Sequence, residues 1–430
     1  MRVPDRPETW LAGVALALGL LWLGARALSP ETDPWAALEQ RSASSAENAS
    51  ESLAQVADQA ALHGDPAPAL EPPVPVRLMR FEGAQELRLE VSGAWRILDE
   101  NGARLQDGHG LQGMLRLDPA GILIGSFLFN RDRLVLAPAG DDALLLEDER
   151  FSGALEIGLL REAGQPSGLR LVLHLPLEQY VLGVVCGEMA TSARDAKAAA
   201  RAQAVAARTW ALWKLRSRKG ALRDTPDDQV FRGTDWQTEA ARLAVEETRG
   251  LVLVWDGDLL PAFFHADCAG HTASAQALGF VNGDCPPLAG VPDLDCRAGS
   301  RPWRVTVSAD RLDSIAMAMG LGSWMRSLHT LDRDAAGRML RTRFLGSDRH
   351  YDGTAEELRL RLRVPSTVWT QARVREDGAL NLEGYGSGHG VGLCQTGALR
   401  RARAGADWRA ILLYYYPEAR IRPLTSDLLE

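Results

Sequence analysis

The hydrophobic period of this chain changes once, and that change limits what it can fold into. From Val76 to about Leu175 apolar and polar residues alternate in short runs. Examples are Glu86-Leu-Arg-Leu-Glu-Val91, Leu134-Val-Leu-Ala137 and Leu169-Arg-Leu-Val-Leu-His174, separated by Asn101-Gly, Asp107-Gly and Ala139-Gly turns. A period of two with turn residues between the runs predicts strands with one buried face. Around Ser192 the pattern becomes Ala-rich. Ser192 followed by Asp195 has the capping-box spacing and predicts a helix through Arg216, ending near Gly220. Further strands are expected at Leu251–Trp255, Ala262–His265, Trp303–Val307 and Leu358–Val364. A last helix is expected from about Asp407 to Tyr416, stopped by Pro417. The fold class is α+β.

The 430 residues are 46% hydrophobic, enough to bury a sizeable core as one large domain or two closely associated ones. A net charge of −8 with scattered arginines leaves no basic stripe, so nucleic acid is not an expected partner. Near the start, Arg2 and Arg6 precede an uncharged run from Trp10 to Ala25. At ~1.5 Å per residue that run spans roughly 24 Å, short of a ~30 Å hydrocarbon core, so residues 1–27 are expected to be an export signal or a short membrane anchor. Residues 28–75, rich in Ala, Ser, Glu and Pro, are expected to form a disordered linker. Residues 76–175 are then a β-rich N-terminal region and 176–420 a catalytic region.

The string Leu175-Pro-Leu-Glu-Gln-Tyr-Val-Leu-Gly-Val-Val-Cys-Gly-Glu-Met189 is followed by Ala202-Gln-Ala-Val-Ala-Ala-Arg-Thr-Trp-Ala-Leu212 and Asp228-Gln-Val-Phe-Arg-Gly233. Phe263-Phe-His-Ala-Asp-Cys-Ala-Gly-His-Thr272, Gly388-His-Gly-Val-Gly-Leu-Cys-Gln-Thr-Gly-Ala398 and Tyr414-Tyr-Tyr-Pro417 come after it in order. Together these blocks resemble the SpoIID/LytB family over roughly residues 76–420. The resemblance implies an exported, cell-envelope lytic transglycosylase that cuts MurNAc-GlcNAc glycan strands stripped of stem peptides, with formation of 1,6-anhydroMurNAc. It places the catalytic glutamate at Glu188, in Gly187-Glu188-Met189. Ala190, Cys186, Cys394 and Thr396 depart from the usual family residues without removing that glutamate. The alternative within the resemblance is a non-catalytic wall-binding protein or amidase enhancer. Expected partners are glycan strands, other wall hydrolases such as an amidase, and the inner membrane if the N-terminal segment is retained.

Glycosidic cleavage needs a carboxylic acid to protonate the leaving oxygen. Glu188 lies between the apolar run Tyr180–Val185 and the following helix, where partial burial would raise its pKa toward the working range. A helix-terminal carboxylate with a purely structural role is the competing reading. Expected substrate contacts are Arg208, Gln229, His389, Gln395 and Tyr415. An arginine inside the Ala-rich helix needs a partner, which leaves an ion-paired Arg208 as the alternative. The glycine-dense loop Gly384–Gly392 fits no dinucleotide fingerprint, and its glycines are expected to let backbone approach a glycan. No cofactor is required by this chemistry. His265, Cys268 and His271 offer zinc-type ligands, with Cys285 or Cys296 as a possible fourth, while a Cys268 disulfide or neither remains open. A Cys/His hydrolase using Cys394 or Cys186 with His389 lacks an evident orienting third residue.

Overall fold

A computed structural model describes residues 70–139, 144–189, 196–218, 220–334 and 337–429. The apolar run Trp10–Ala25, the expected linker as far as residue 69 and the Ser192–Asp195 capping box lie outside the described residues. The end of the expected 28–75 linker is corrected: Pro73–Pro75 belong to a strand, Pro73–Arg77, that pairs with Gln165–Pro176 and buries Val74. Among the described residues, no helix is long and apolar enough to cross a membrane. The architecture is α+β: a large antiparallel sheet followed by helices and smaller sheets.

The sheet is built from the alternating region. Its path runs Leu222–Arg223, Pro73–Arg77, Gln165–Pro176, Ala154–Glu162, Arg133–Pro138, Glu86–Leu98, Arg104–Asp118, Gly121–Ile124 and Phe127–Phe129, with Leu144–Leu146 and Glu149–Phe151 branching from Glu86–Leu98. Each pairing is antiparallel except that of Pro73–Arg77 with Leu222–Arg223. The alternation works as the period predicts: in Glu86–Leu98, Leu87, Leu89 and Val91 face the core while Glu86 and Arg88 remain outside.

Two helices carry the chain off this sheet: α1 (Leu177–Glu188) and α2 (Lys197–Ser217). Pro176 precedes α1, where its missing N–H costs nothing. The alanines of α2 divide between two hydrophobic clusters. Ala200, Ala204, Ala207 and Ala211 pack with the sheet and α1, whereas Ala199, Ala202, Val205 and Ala206 pack with residues of 253–296 and 391–421. A helix buried on opposite faces must be apolar nearly all round, and small side chains let both layers approach it closely. This is why the stretch is so rich in alanine.

The third cluster, from Val307 to Leu382, has a core of its own. It comprises the sheets Trp303–Val307/Leu380–Tyr385/Val368–Val374 and Met325–Arg333/Met339–Gly346/His350–Thr354, with two helices between their strands, Ala309–Ala318 and Ala355–Leu362. The second of these helices corrects the strand expected at Leu358–Val364. The Leu-Arg-Leu-Arg-Leu alternation is real, but the Thr354 hydroxyl accepts the Glu357 N–H and caps a helix instead. Thr354-x-x-Glu357 is the capping-box spacing, and local capping outweighs a short alternating run. The expected strands at Leu251–Trp255 and Trp303–Val307 form with those bounds. The last helix runs Trp408–Tyr415, capped by Asp407.

Arg208, expected at the substrate, is instead the tie between α1, α2 and the strand after them. Its side chain has no exposed surface. Its guanidinium pairs bidentately with Glu178 of α1, Nε to Oε1 at 2.8 Å, and donates to the Leu251 carbonyl at 3.1 Å. The Gly250 N–H adds a bond to Glu178 at 3.0 Å. Removing one member of such a pair strands a buried charge. Arg208→Met is therefore expected to lower the unfolding free energy in urea by about 3–5 kcal/mol, and Arg208→Met combined with Glu178→Leu to recover most of it. Unchanged stability with selective loss of substrate binding would return Arg208 to a ligand-contact role.

Candidate active site

Glu188 is the last residue of α1, and the geometry around it begins with two glycines one turn apart on that helix. A Cβ on Gly183 would lie 2.3 Å from the Phe231 ring, and one on Gly187 would lie 2.3 Å from the Val230 carbonyl. With hydrogen there instead, the segment Asp228–Gly233 presses directly onto the helix. Arg232 N–H bonds to the Gly183 carbonyl at 3.2 Å, and Phe231 stacks on Tyr180 at 5.8 Å with planes 7° apart. The same segment is braced by Arg80, in the short helical turn Met79–Phe81, which bonds both Asp224 and the Phe231 carbonyl, and by Glu149 of the sheet, which accepts the Gly233 N–H. The result is that Val230 N–H donates to Glu188 Oε1 at 2.7 Å.

The second support comes from the C-terminal part of the chain. Gln395 opens the helix α3 (Gln395–Arg403), and its side chain hydrogen-bonds to Glu188 while its Nε2 lies 3.4 Å from Oε1 of the buried Gln203 on α2. Gln395, expected as a substrate contact, lies beside the catalytic candidate. Gln203 completes this chain of amides, and Arg208, five residues on and therefore on another face of α2, does not. Burial pushes the Glu188 carboxyl up to about 7, outweighing the two hydrogen bonds, which favour the charged form. No charged side chain is among the causes of that shift. The residue as a whole is only partly buried.

Two other expected contacts have different tasks. Gln229 is buried and accepts the Tyr180 hydroxyl at 2.7 Å while donating to the Ala207 carbonyl at 3.3 Å, so its amide is occupied in joining α1 to α2. Tyr415 is buried and donates to Asp293 at 2.7 Å, and burial holds its phenol well above the usual range. Neither offers a free group to a sugar.

His389 packs in an aromatic nest, with ring centroids 5.1 Å from Phe280, 5.6 Å from His265 and 5.9 Å from Phe263. Its Nδ1 accepts the Val391 N–H at 3.0 Å, and burial lowers its pKa to about 4, so the ring is neutral near pH 7. Among the described residues no hydrogen bond joins it to Glu188. The glycines around it have positive φ, and what they admit is protein: a Cβ on Gly392 would lie 2.0 Å from the Phe263 carbonyl and one on Gly390 would lie 2.5 Å from the Arg338 guanidinium. They allow close approach, but to the chain's own backbone and side chains rather than to the expected glycan.

The proposed zinc set His265, Cys268 and His271 does not converge. His265 Nδ1 is taken by the Val391 carbonyl at 3.0 Å, and His271 Nδ1 by its neighbour's carbonyl, that of Thr272, at 2.7 Å. Cys268 instead meets Cys296, Cys394 and Asp293, four buried residues whose ligand atoms all lie within 4.8 Å of one another. The Cys394 sulfur faces this cluster, accepting N–H groups from Cys268 and Gly397, and among the described residues makes no contact with His389 of the kind a Cys/His nucleophile needs. All five cysteines are unpaired thiols.

The family model for SpoIID, Stage II sporulation protein, matches residues 165–255, the stretch that holds Glu188 and its Val230 support. An uncharacterized protein of Brachyspira hyodysenteriae is 32% identical over 251 residues, covering 57% of this chain and 66% of its own length. The amidase enhancer of Bacillus subtilis is 27% identical over 285 residues, 55% of this chain and 39% of the relative. Stage II sporulation protein D of Bacillus amyloliquefaciens is 28% identical over 284 residues, 60% of this chain and 77% of the relative. The chain spans under two thirds of the length of the first two of these relatives. With the ordered sequence blocks and the site they assemble, these matches support the SpoIID/LytB family for this chain.

Proposed function

We propose that this chain is a cell-wall lytic transglycosylase that cuts peptide-stripped MurNAc-GlcNAc strands outside the cytoplasm, with Glu188 as both acid and base. The observation that carries the reading is a carboxyl whose pKa burial raises to about 7, held by two neutral donors with no charged neighbour among the causes of its shift. In the proposed step the protonated Glu188 gives its proton to the GlcNAc O4 as the MurNAc C1–O4 bond breaks. The MurNAc C6 hydroxyl attacks C1, and its proton passes to the Glu188 carboxylate, which restores the acid. A 1,6-anhydro ring forms and no water is consumed, so one carboxyl suffices where a hydrolase needs a pair. Other carboxylates of the matched stretch are engaged elsewhere: Glu178 with Arg208, Asp227 with Arg223 and Asp228 with the Arg223 N–H, while Asp195 lies outside the described residues.

A second reading follows from the relative named amidase enhancer: the chain would bind wall glycan and raise the activity of another wall enzyme without cutting. Glu188→Gln separates the two, because glutamine keeps the shape and the Val230 bond but cannot cycle a proton. On purified peptide-free strands, turnover is expected to fall by at least ~10²-fold with glycan binding retained. Unchanged cleavage would exclude Glu188, and joint loss of binding and cleavage would mark it as structural.

The pH dependence has a definite sign. The acid must be protonated, so kcat/KM should be level below about 7 and fall tenfold per unit above it. Stability follows the same proton. The folded pKa exceeds the unfolded 4.5, so folding binds the proton between those values, and stability is lost as pH rises from about 4.5 to about 7, by at most ~3 kcal/mol given the partial exposure. Glu188→Gln should remove that slope in urea titrations, and a slope unaltered by the substitution would contradict the raised pKa.

A further inference from the structure

The cluster of Cys268, Asp293, Cys296 and Cys394 serves neither the Glu188 chemistry nor the hydrophobic packing alone. Three thiols and a carboxylate are brought from three separate segments into one buried place, with every ligand atom within 4.8 Å of every other. Around a zinc ion with Zn–S near 2.3 Å, tetrahedral geometry puts the ligand atoms roughly 3.8 Å apart, so a small inward movement of the side chains closes the set. Three sulfurs and one carboxylate oxygen suit zinc and, within that spacing, a single ion.

The surroundings fit an anionic metal centre. The Cys394 sulfur accepts backbone N–H groups from Cys268 and Gly397, each at 3.4 Å, the kind of bond that stabilises a thiolate. Asp293 is oriented by the Cys296 N–H at 3.1 Å and the Tyr415 hydroxyl at 2.7 Å. Cys296 Sγ lies 3.3 Å from Asp267 Oδ1. Three thiolates and a carboxylate around a dication leave a net charge of −2, and two arginines stand ready to offset it. Arg401 Nη2 lies 3.7 Å from Asp293 Oδ1, and the buried Arg338 donates to the Cys268 carbonyl at 3.3 Å. Gly397 has no side chain because one would enter this shell: a Cβ there would lie 2.1 Å from both Asp293 Oδ2 and the Tyr415 oxygen.

We propose that Cys268, Asp293, Cys296 and Cys394 bind one structural zinc ion, and that this ion fixes the start of α3. Cys394 is the N-cap of that helix, and the next residue, Gln395, is the one that holds Glu188. The metal would therefore position the acid through one intervening residue while staying out of the reaction. Zinc binding itself does not depend on the proposed glycan cleavage, and metal content is measured without an activity assay.

The test is elemental analysis of the full chain purified under reducing conditions without a histidine tag. The wild type is expected to hold about one equivalent of zinc, and Cys296→Ser and Cys394→Ser to fall below about a tenth of that. His265→Ala and His271→Ala should keep the metal. If the cysteine variants do not fold, the wild type still decides: after chelation, added Co²⁺ should produce thiolate-to-cobalt charge-transfer absorption that zinc abolishes. Absence of that absorption, a disulfide among Cys268, Cys296 and Cys394 in the metal-free chain, or full zinc retention by folded Cys296→Ser and Cys394→Ser would overturn the proposal.

Discussion

The docking of the Asp228–Gly233 segment onto the glycine face of α1 is the contact on which the rest of the site depends. Gly183 and Gly187 remove the two side chains that would hold the segment off, and Phe231 and Tyr180 fill the space beside them. Only then can the Val230 N–H reach the carboxyl of Glu188. The arrangement sets two effects against each other. Packing removes water and raises the pKa, while the N–H and the Gln395 amide favour the anion without matching that cost. A carboxyl poised near neutrality is the outcome, and it carries the instability expected of a group kept for use rather than for folding.

Each layer of the molecule contributes to that contact. The large sheet supplies Glu149, and the turn after its first strand supplies Arg80; both hold the segment. The alanine-rich α2 lies between two cores, packing against α1 and the sheet on one face and the C-terminal layer on the other. The buried Arg208–Glu178 pair locks α1 to α2 and to Gly250–Leu251. The C-terminal layer returns Gln395 to the acid from more than two hundred residues away in sequence.

Much of this was legible in the sequence, and what was not has identifiable causes. The sheet followed from strict alternation, the long helix from composition, and Glu188 from its place in the matched block. Gln395, expected as a substrate contact, bonds to Glu188. Arg208, Gln229 and Tyr415 were expected at the substrate because polar residues in the matched blocks invite that reading, yet each satisfies a buried partner. Burial and pairing are three-dimensional facts that a one-dimensional pattern leaves undecided. The metal-type cluster shows the same limit. The tight spacing of His265, Cys268 and His271 was conspicuous, whereas Cys394 meets Cys268 across 126 residues, through strand pairing of Phe264–His265 with Leu393–Cys394 that no local spacing reveals. The strand expected at Leu358–Val364 failed because a capping threonine was overlooked four residues earlier.

The central claim is that one carboxyl and the substrate's own hydroxyl complete the cut. Mass spectrometry of the products released from peptide-free glycan strands tests it most directly. The account predicts chains ending in 1,6-anhydro-muramic acid, lighter by one water than the hydrolytic product. Reducing muramic acid ends would contradict it, since water rather than the C6 oxygen would then have attacked C1.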